Sequence, residues 1–156
     1  MPQASPRLAV RALILHRDRL LLVNAWPEAA GSDLWCAPGG GVRAGQSLPE
    51  NLAREVAEEC GLEVAVGPPR LVNEFHDPAT GFHQVEVFFR ATILSGLVGD
   101  DLPAVRDPEG VVVRRRLVAR GEMARLRVKP DSLAAAAWGG GAGMAMGYDP
   151  LEVIQR

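Results

Sequence analysis

The chain has 156 residues, a formal net charge of −2, 47% hydrophobic and 23% charged residues, and two cysteines, the make-up of one soluble globular domain with room for a core. Two cysteines are too few for a disulfide-stapled miniprotein, and a near-neutral chain gives no electrostatic basis for sequence-independent binding to a nucleic-acid polymer. No apolar run approaches the ~18 residues that span a bilayer, so no membrane partner is expected.

In chain order, residues 1–7 lack the layout of a secretory signal, and a reducing cytoplasm is the expected compartment. Leu8 to Leu15, apolar apart from Arg11, reads as a buried strand. Arg17-Asp18-Arg19 reads as a turn and Leu20 to Val23 as the second strand of an antiparallel hairpin. Residues 24–33 are expected to be loop. Leu34 to Ala37 is short and apolar, and Pro38 with Gly39, Gly40 and Gly41 is expected to break regular structure. A helix follows, opened by a capping box of Ser47 and Glu50 and closed by Gly61. Its apolar stripe is Leu48, Leu52, Val56 and Cys60. Strands are expected at Leu62 to Val66, Leu71 to Phe75, Phe82 to Ile93 and Val111 to Val118, with Val85, Val87 and Phe89 sharing a face. Residues 96–110 read as loop. Glu122 to Leu126 and Ser132 to Trp138 look helical. Residues 139–147 read as a flexible glycine-rich segment. Together these predict a single domain over 1–156, an α/β sandwich around a mixed sheet.

At 100° per residue, Glu59, Glu55 and Glu58 fan over about 100° along one edge of the apolar stripe, with Arg54 beyond them. For a plain surface helix this is unfavourable. Glu55 and Glu59 are a like-charged i,i+4 pair, and Glu58 and Glu59 lie where the helix dipole disfavours anions. A hard divalent cation with oxygen ligands resolves both conflicts. The neighbouring glycines leave backbone groups bare beside the carboxylates. The loop fits neither the dinucleotide fingerprint nor a P-loop.

Gly40, five residues, Gln46, seven residues, then Arg54-Glu55-Val56-Ala57-Glu58-Glu59-Cys60-Gly61-Leu62 resembles the Nudix box. One specified position departs, Gln46 standing where the pattern has glutamate. The resemblance implies a Nudix α/β/α sandwich and a hydrolase dependent on Mg²⁺ or Mn²⁺. Such an enzyme cleaves a phosphoanhydride bond in a nucleoside diphosphate linked to another moiety. It implies Glu55 and Glu59 as principal metal ligands, Glu58 as a third ligand or as the holder of a bound water, a Gly40 carbonyl completing the site, and Arg54 orienting the glutamates. It further implies an acid from a later loop, for which Glu109 is the first candidate and Asp107 the second. In that mechanism water attacks phosphorus, the metal neutralises the diphosphate and activates the water, and Glu55 or Glu109 takes the proton. The resemblance also admits a homodimer. The competing reading is a Nudix-fold nucleotide-binding or regulatory module that has lost turnover through Gln46.

Other residues have plainer readings beside functional ones. Glu86 is either a substrate contact or a partner of Arg90. His76 and His83 lack zinc-site spacing. Arg114, Arg115 and Arg116 are phosphate candidates, at least one of them merely solvated. Trp26, Trp35 and Trp138 read as packing residues before base-stacking ones. Pro78 sits where ADP-ribose-cleaving relatives tend to carry a proline, but His-Asp-Pro is equally a turn. Cys36 and Cys60 read as small buried thiols.

Overall fold

A computed structural model describes residues 5–24, 32–104, 114–140 and 145–155. The expected hairpin forms from β1 (Arg7–His16) and β2 (Arg19–Asn24), joined by Arg17 and Asp18 at φ 48° and 60°. Two consecutive residues of positive φ make the tight connection whose twist matches that of the flanking strands.

β3 (Leu34–Trp35) pairs in parallel with β8 (Arg127–Val128) as a small separate sheet. The glycines do not break regular structure: Gly39–Gly41 is a strand, β4, antiparallel to β1 with Val10 opposite Gly40. A Cβ on Gly39 would stand 1.9 Å from the Val10 carbonyl oxygen, so this pairing needs a residue without a side chain.

α1 (Leu48–Cys60) has the predicted caps. Ser47 Oγ accepts the Glu50 amide at 3.2 Å, Glu50 accepts the Ser47 amide at 2.8 Å, and Gly61 ends the helix at φ 66°. The two strands expected after it are one long bulged strand, β5 (Glu63–Asp77), whose register slips on both sides of Pro69. Proline cannot donate to the ladder, and the bulge absorbs it. β6 (Phe82–Ser95) and β7 (Arg114–Ala119) follow. The expected helix at 122–126 is a 3₁₀ turn over Arg120–Arg125, and α2 is Leu133–Trp138. Part of the glycine-rich stretch lies outside the described residues, but its end, Gly147, opens β9 (Gly147–Val153), which pairs in parallel with β5.

The main sheet runs β7-β2-β1-β6-β5-β9, with β4 on β1, and mixes parallel and antiparallel pairs. Each face carries its own apolar cluster. Leu52, Val56 and Cys60 of α1 pack with Val10, Ala12, Ile14 and Phe89 on one face. Leu133 and Ala137 of α2 pack with Leu13, Leu71 and Phe88 on the other. The α/β/α sandwich follows from two-sided burial of β1, β5 and β6. No described helix is long and apolar enough to cross a membrane.

Candidate active site

Where β4 meets α1 the chain surrounds a cavity of about 510 Å³. Its walls hold Gly39, Gly40 and Gly41, Glu55 and Glu59 from α1, Arg7 and Arg11 from β1, and Phe75, Phe82 and Gln84 from β5 and β6. One wall is therefore acidic and another basic.

Glu59 is only 7% exposed and accepts the Gly39 amide at 3.0 Å, which ties the last turn of α1 to β4. Glu55 lies against Gly40: a Cβ there would fall 2.6 Å from the carboxyl carbon and from Oε2. The glycine thus gives the carboxylate space that any other residue would fill. Arg54 donates from Nη1 to Glu55 Oε1 at 2.7 Å and lies 3.6 Å from Glu58. Glu58 stands on this Arg54 side and does not line the cavity. Among the described residues no three His, Cys, Asp or Glu side chains converge as a metal-binding group. The structure brings together Glu55, Glu59 and the Gly40 backbone. Glu109 and Asp107 lie outside the described residues, as does Trp26.

Gln46 is exposed and is not a cavity residue. The link between the glycine loop and the helix runs through Asn51, which the sequence reading missed. Asn51 is wholly buried. Its Oδ1 accepts the Arg43 amide at 2.8 Å and Arg54 Nη2 at 2.9 Å. Its Nδ2 donates to the Ser47 carbonyl at 2.8 Å and to that of Gln46 at 3.2 Å. The signal was available: Asn51 is four residues before Glu55, on the carboxylate edge of the wheel, and is the one neutral amide inside the helix.

Two of the cavity's arginines, Arg7 and Arg11, were missed as well. Arg11 donates from Nε to Glu86 Oε2 at 2.5 Å and from Nη1 to the Ala37 carbonyl at 3.2 Å. Burial opposes its charge, but the Glu86 and Glu59 carboxylates hold the guanidinium above its ordinary pKa, so it stays a cation. Arg7 bonds to Gln84. Both arginines sit at alternate positions of β1, the periodicity that should have marked a shared face. Glu86 is therefore the partner of Arg11, Asn73 and Gln84, not of Arg90, which donates to the Ala137 and Gly139 carbonyls at the end of α2.

Apart from Cys36, the other candidates that the structure describes make their contacts outside the cavity. Arg115 donates to the Cys60 and Pro103 carbonyls, while Arg114 and Arg116 lie over the Trp35 ring at 5.3 and 5.7 Å. Trp35 is core, and Trp138 donates to Asp18. Pro78 forms the β5–β6 turn, and His83 pairs with Glu74 at 3.3 Å. Burial pushes the Cys36 thiol up to about 11, with Arg11 opposing, so it is a neutral thiol in the cavity wall and not a thiolate ligand.

The model of the Nudix domain family matches residues 5–138. The chain belongs to the Nudix family. Among its Nudix relatives, the Bacillus subtilis protein YjhB, named as a candidate ADP-ribose pyrophosphatase, is 27% identical over 97 residues, 59% of this chain and 44% of that protein. A Mycobacterium tuberculosis H37Rv protein, named as a candidate 8-oxo-dGTP diphosphatase, is 59% identical over 39 residues, 25% of this chain and 26% of that one. The chain thus spans under half the length of these curated relatives. The solved Nudix hydrolase of Nitrosomonas europaea superposes with a TM-score of 0.66 at 19% identity over 85% of this chain and 86% of that one, which shows the shared Nudix fold.

Proposed function

We propose that the protein is a divalent-metal-dependent pyrophosphohydrolase that cleaves a phosphoanhydride bond in a nucleoside diphosphate linked to another moiety. The observation that carries this reading is the two-sided cavity. Glu55 and Glu59 face Arg7 and Arg11 across one 510 Å³ space beside the glycine strand. Carboxylates suit a cation and guanidinia suit phosphate oxygens.

The donor set fits Mg²⁺ or Mn²⁺. Two carboxylates and backbone oxygens are hard ligands, and Mg²⁺ uses one or two carboxylates and takes its remaining ligands from water and substrate phosphate. Glu55, Glu59 and Gly40 would hold the ion. When bound, it supplies neutralisation of the diphosphate and activation of the attacking water.

The protein's own groups do the rest. Arg7 and Arg11 bind and orient the diphosphate. Arg54 holds Glu55 Oε1, fixing the carboxylate against Gly40. The water oxygen bonds to phosphorus, the bridging P–O bond breaks, the departing phosphate carries its electrons away, and a carboxylate takes the water's proton. Glu55 is our candidate acceptor and Glu109 the second. The position of Gln46 away from the cavity favours turnover over a binding-only module.

The test is hydrolysis of a panel with Mg²⁺ or Mn²⁺: nucleoside triphosphates, 8-oxo-dGTP, ADP-ribose, dinucleoside polyphosphates and nucleotide sugars. At least one substrate is expected to turn over, with a loss of about 10²–10⁴-fold in Glu55→Gln. No turnover above the Glu55→Gln/Glu59→Gln double variant overturns the reading.

A further inference from the structure

The third glycine of β4 has a use of its own. Gly41 stands opposite Ala9 of β1 and lines the cavity with Arg7 and Gln84. It lacks the positive φ that Gly39 has at 152°, so its backbone admits an alanine. What it lacks is space. A Cβ on Gly41 would stand 2.9 Å from Arg7 Cζ, 3.1 Å from Nε and closer still to Nη2. The guanidinium therefore occupies the volume that a side chain would fill. Its other contact is Gln84, to which Nη1 donates. Gln84 is only 2% exposed, and Glu86 decides its amide orientation. Glu86 has only acceptors to offer, so Gln84 donates to it from Nε2 at 3.1 Å and turns Oε1 to Arg7. Arg7 is otherwise exposed at the start of β1, where an arginine ordinarily samples many rotamers. Arg11 is paired with the Glu86 carboxylate, whereas Gln84 is a neutral partner and leaves the charge of Arg7 for an anion in the cavity.

We propose that Gly41 and Gln84 are positioning residues that seat the Arg7 guanidinium toward the diphosphate, so that Gly41 sets substrate affinity through Arg7. The choice of ligand rests on the pyrophosphohydrolase reading above. Successive residues of a strand face opposite sides, and the two glycines divide accordingly: Gly40 makes room for Glu55, and Gly41 for Arg7. A methyl group on Gly41 meets the far end of a flexible side chain and not backbone. The fold therefore accommodates it, and the cation moves. A cation seated before binding loses less freedom when the anion arrives, and that advantage goes with the seat.

The experiment is a double-mutant cycle of Gly41→Ala and Arg7→Gln, with a second cycle of Gln84→Met and Arg7→Gln. In Mg²⁺, kcat and KM are measured on a substrate that turns over, and Kd for inorganic pyrophosphate is measured by calorimetry. Arg7→Gln is expected to raise KM and Kd by about tenfold or more. Gly41→Ala should raise both by about three- to tenfold and keep kcat within about twofold, since Glu55 and Glu59 meet Gly40 and Gly39 instead. In the Arg7→Gln background Gly41→Ala should add nothing. Effects that multiply, or a Gly41→Ala variant that loses kcat with KM unchanged, mean that Gly41 serves only the β1–β4 pairing, and the proposal falls. The Gln84→Met cycle decides the matter if Gly41→Ala does not fold: the same rise in KM, absent from the Arg7→Gln background, is expected, and an unchanged KM overturns the seat. Pyrophosphate binding that follows the cycle without hydrolysis of any substrate overturns the enzyme reading alone. Hydrolysis with multiplying effects overturns the seat alone.

Discussion

At the scale of single residues, the site depends on two polar clusters within the fold, one centred on Asn51 and one on the Arg11–Glu86 pair. Asn51 uses both ends of its amide to join the loop at Arg43 and Gln46 to Arg54 on α1. Removing it takes the acceptor from the Arg43 amide and from Arg54 Nη2. Asn51→Leu is expected to cost about 1–3 kcal/mol in urea unfolding and to lower kcat by loosening Arg54 and Glu55. Gln46→Glu, at an exposed position, is expected to change stability by no more than about 0.5 kcal/mol. A large gain of activity in Gln46→Glu would revive the binding-module reading. Arg11 and Glu86 form the second case, with side chains 15% and 6% exposed. Glu86→Leu leaves the Arg11 charge buried without its partner and is expected to cost about 3–5 kcal/mol. Adding Arg11→Met should recover much of that stability in the same denaturation assay while abolishing diphosphate binding. Such a recovery would separate the pair's role in binding from its contribution to the fold.

At the scale of elements, the hairpin turn and β9 are the informative pieces. Arg17 and Asp18 occupy positive φ without being glycine. Arg17 contributes an exposed ion pair to Asp100 at 2.7 Å, with side chains 67% and 46% exposed, and such pairs stabilise little. Asparagine tolerates the left-handed region better, so Arg17→Asn is expected to raise Tm by a degree or more, equivalent to about 0.5 kcal/mol. At the other edge, Tyr148 of β9 donates to Glu74 of β5. That bond holds Glu74 below the usual carboxylate range and Tyr148 above the usual phenol range. The signs follow by linkage. The Glu74 contribution is present above its unfolded value and lost as pH falls through the folded one. The Tyr148 contribution is present below its unfolded value and lost as pH rises through the folded one. Tyr148→Phe is therefore expected to lower Tm in the middle range and to converge with the wild type at both extremes, read from a Tm–pH profile. Identical profiles would mean that the bond contributes nothing to the docking of β9.

At the scale of the whole molecule, the sequence showed most clearly what is local. The box helix was legible because its period, caps and terminal glycine all lie within about four turns of chain. β4 was not, since a strand of three glycines exists only through its pairing with β1. β9 was hidden because the glycine-rich run that leads into it reads as flexible, and its order comes from pairing with β5. The roles of Arg7, Arg11 and Asn51 depend on which distant groups the fold brings to them. The same dependence makes the cavity a property of assembly, and this can be tested through stability. Glu55 and Glu59 reach it from α1, packed on one sheet face, while Arg11 projects from the opposite face of β1. A cation bound between the two carboxylates recognises the folded chain and not the unfolded one. At a hundredfold excess over its Kd, Mg²⁺ should therefore stabilise the fold by about 2.7 kcal/mol. For a chain of this size that is a rise in Tm of roughly 5–10 °C. Glu55→Gln/Glu59→Gln is expected to lose the rise, and Glu58→Gln, outside the cavity wall, to retain most of it. A rise that survives the double variant would put the ion elsewhere, and one lost only in Glu58→Gln would restore the third carboxylate to the ligand set.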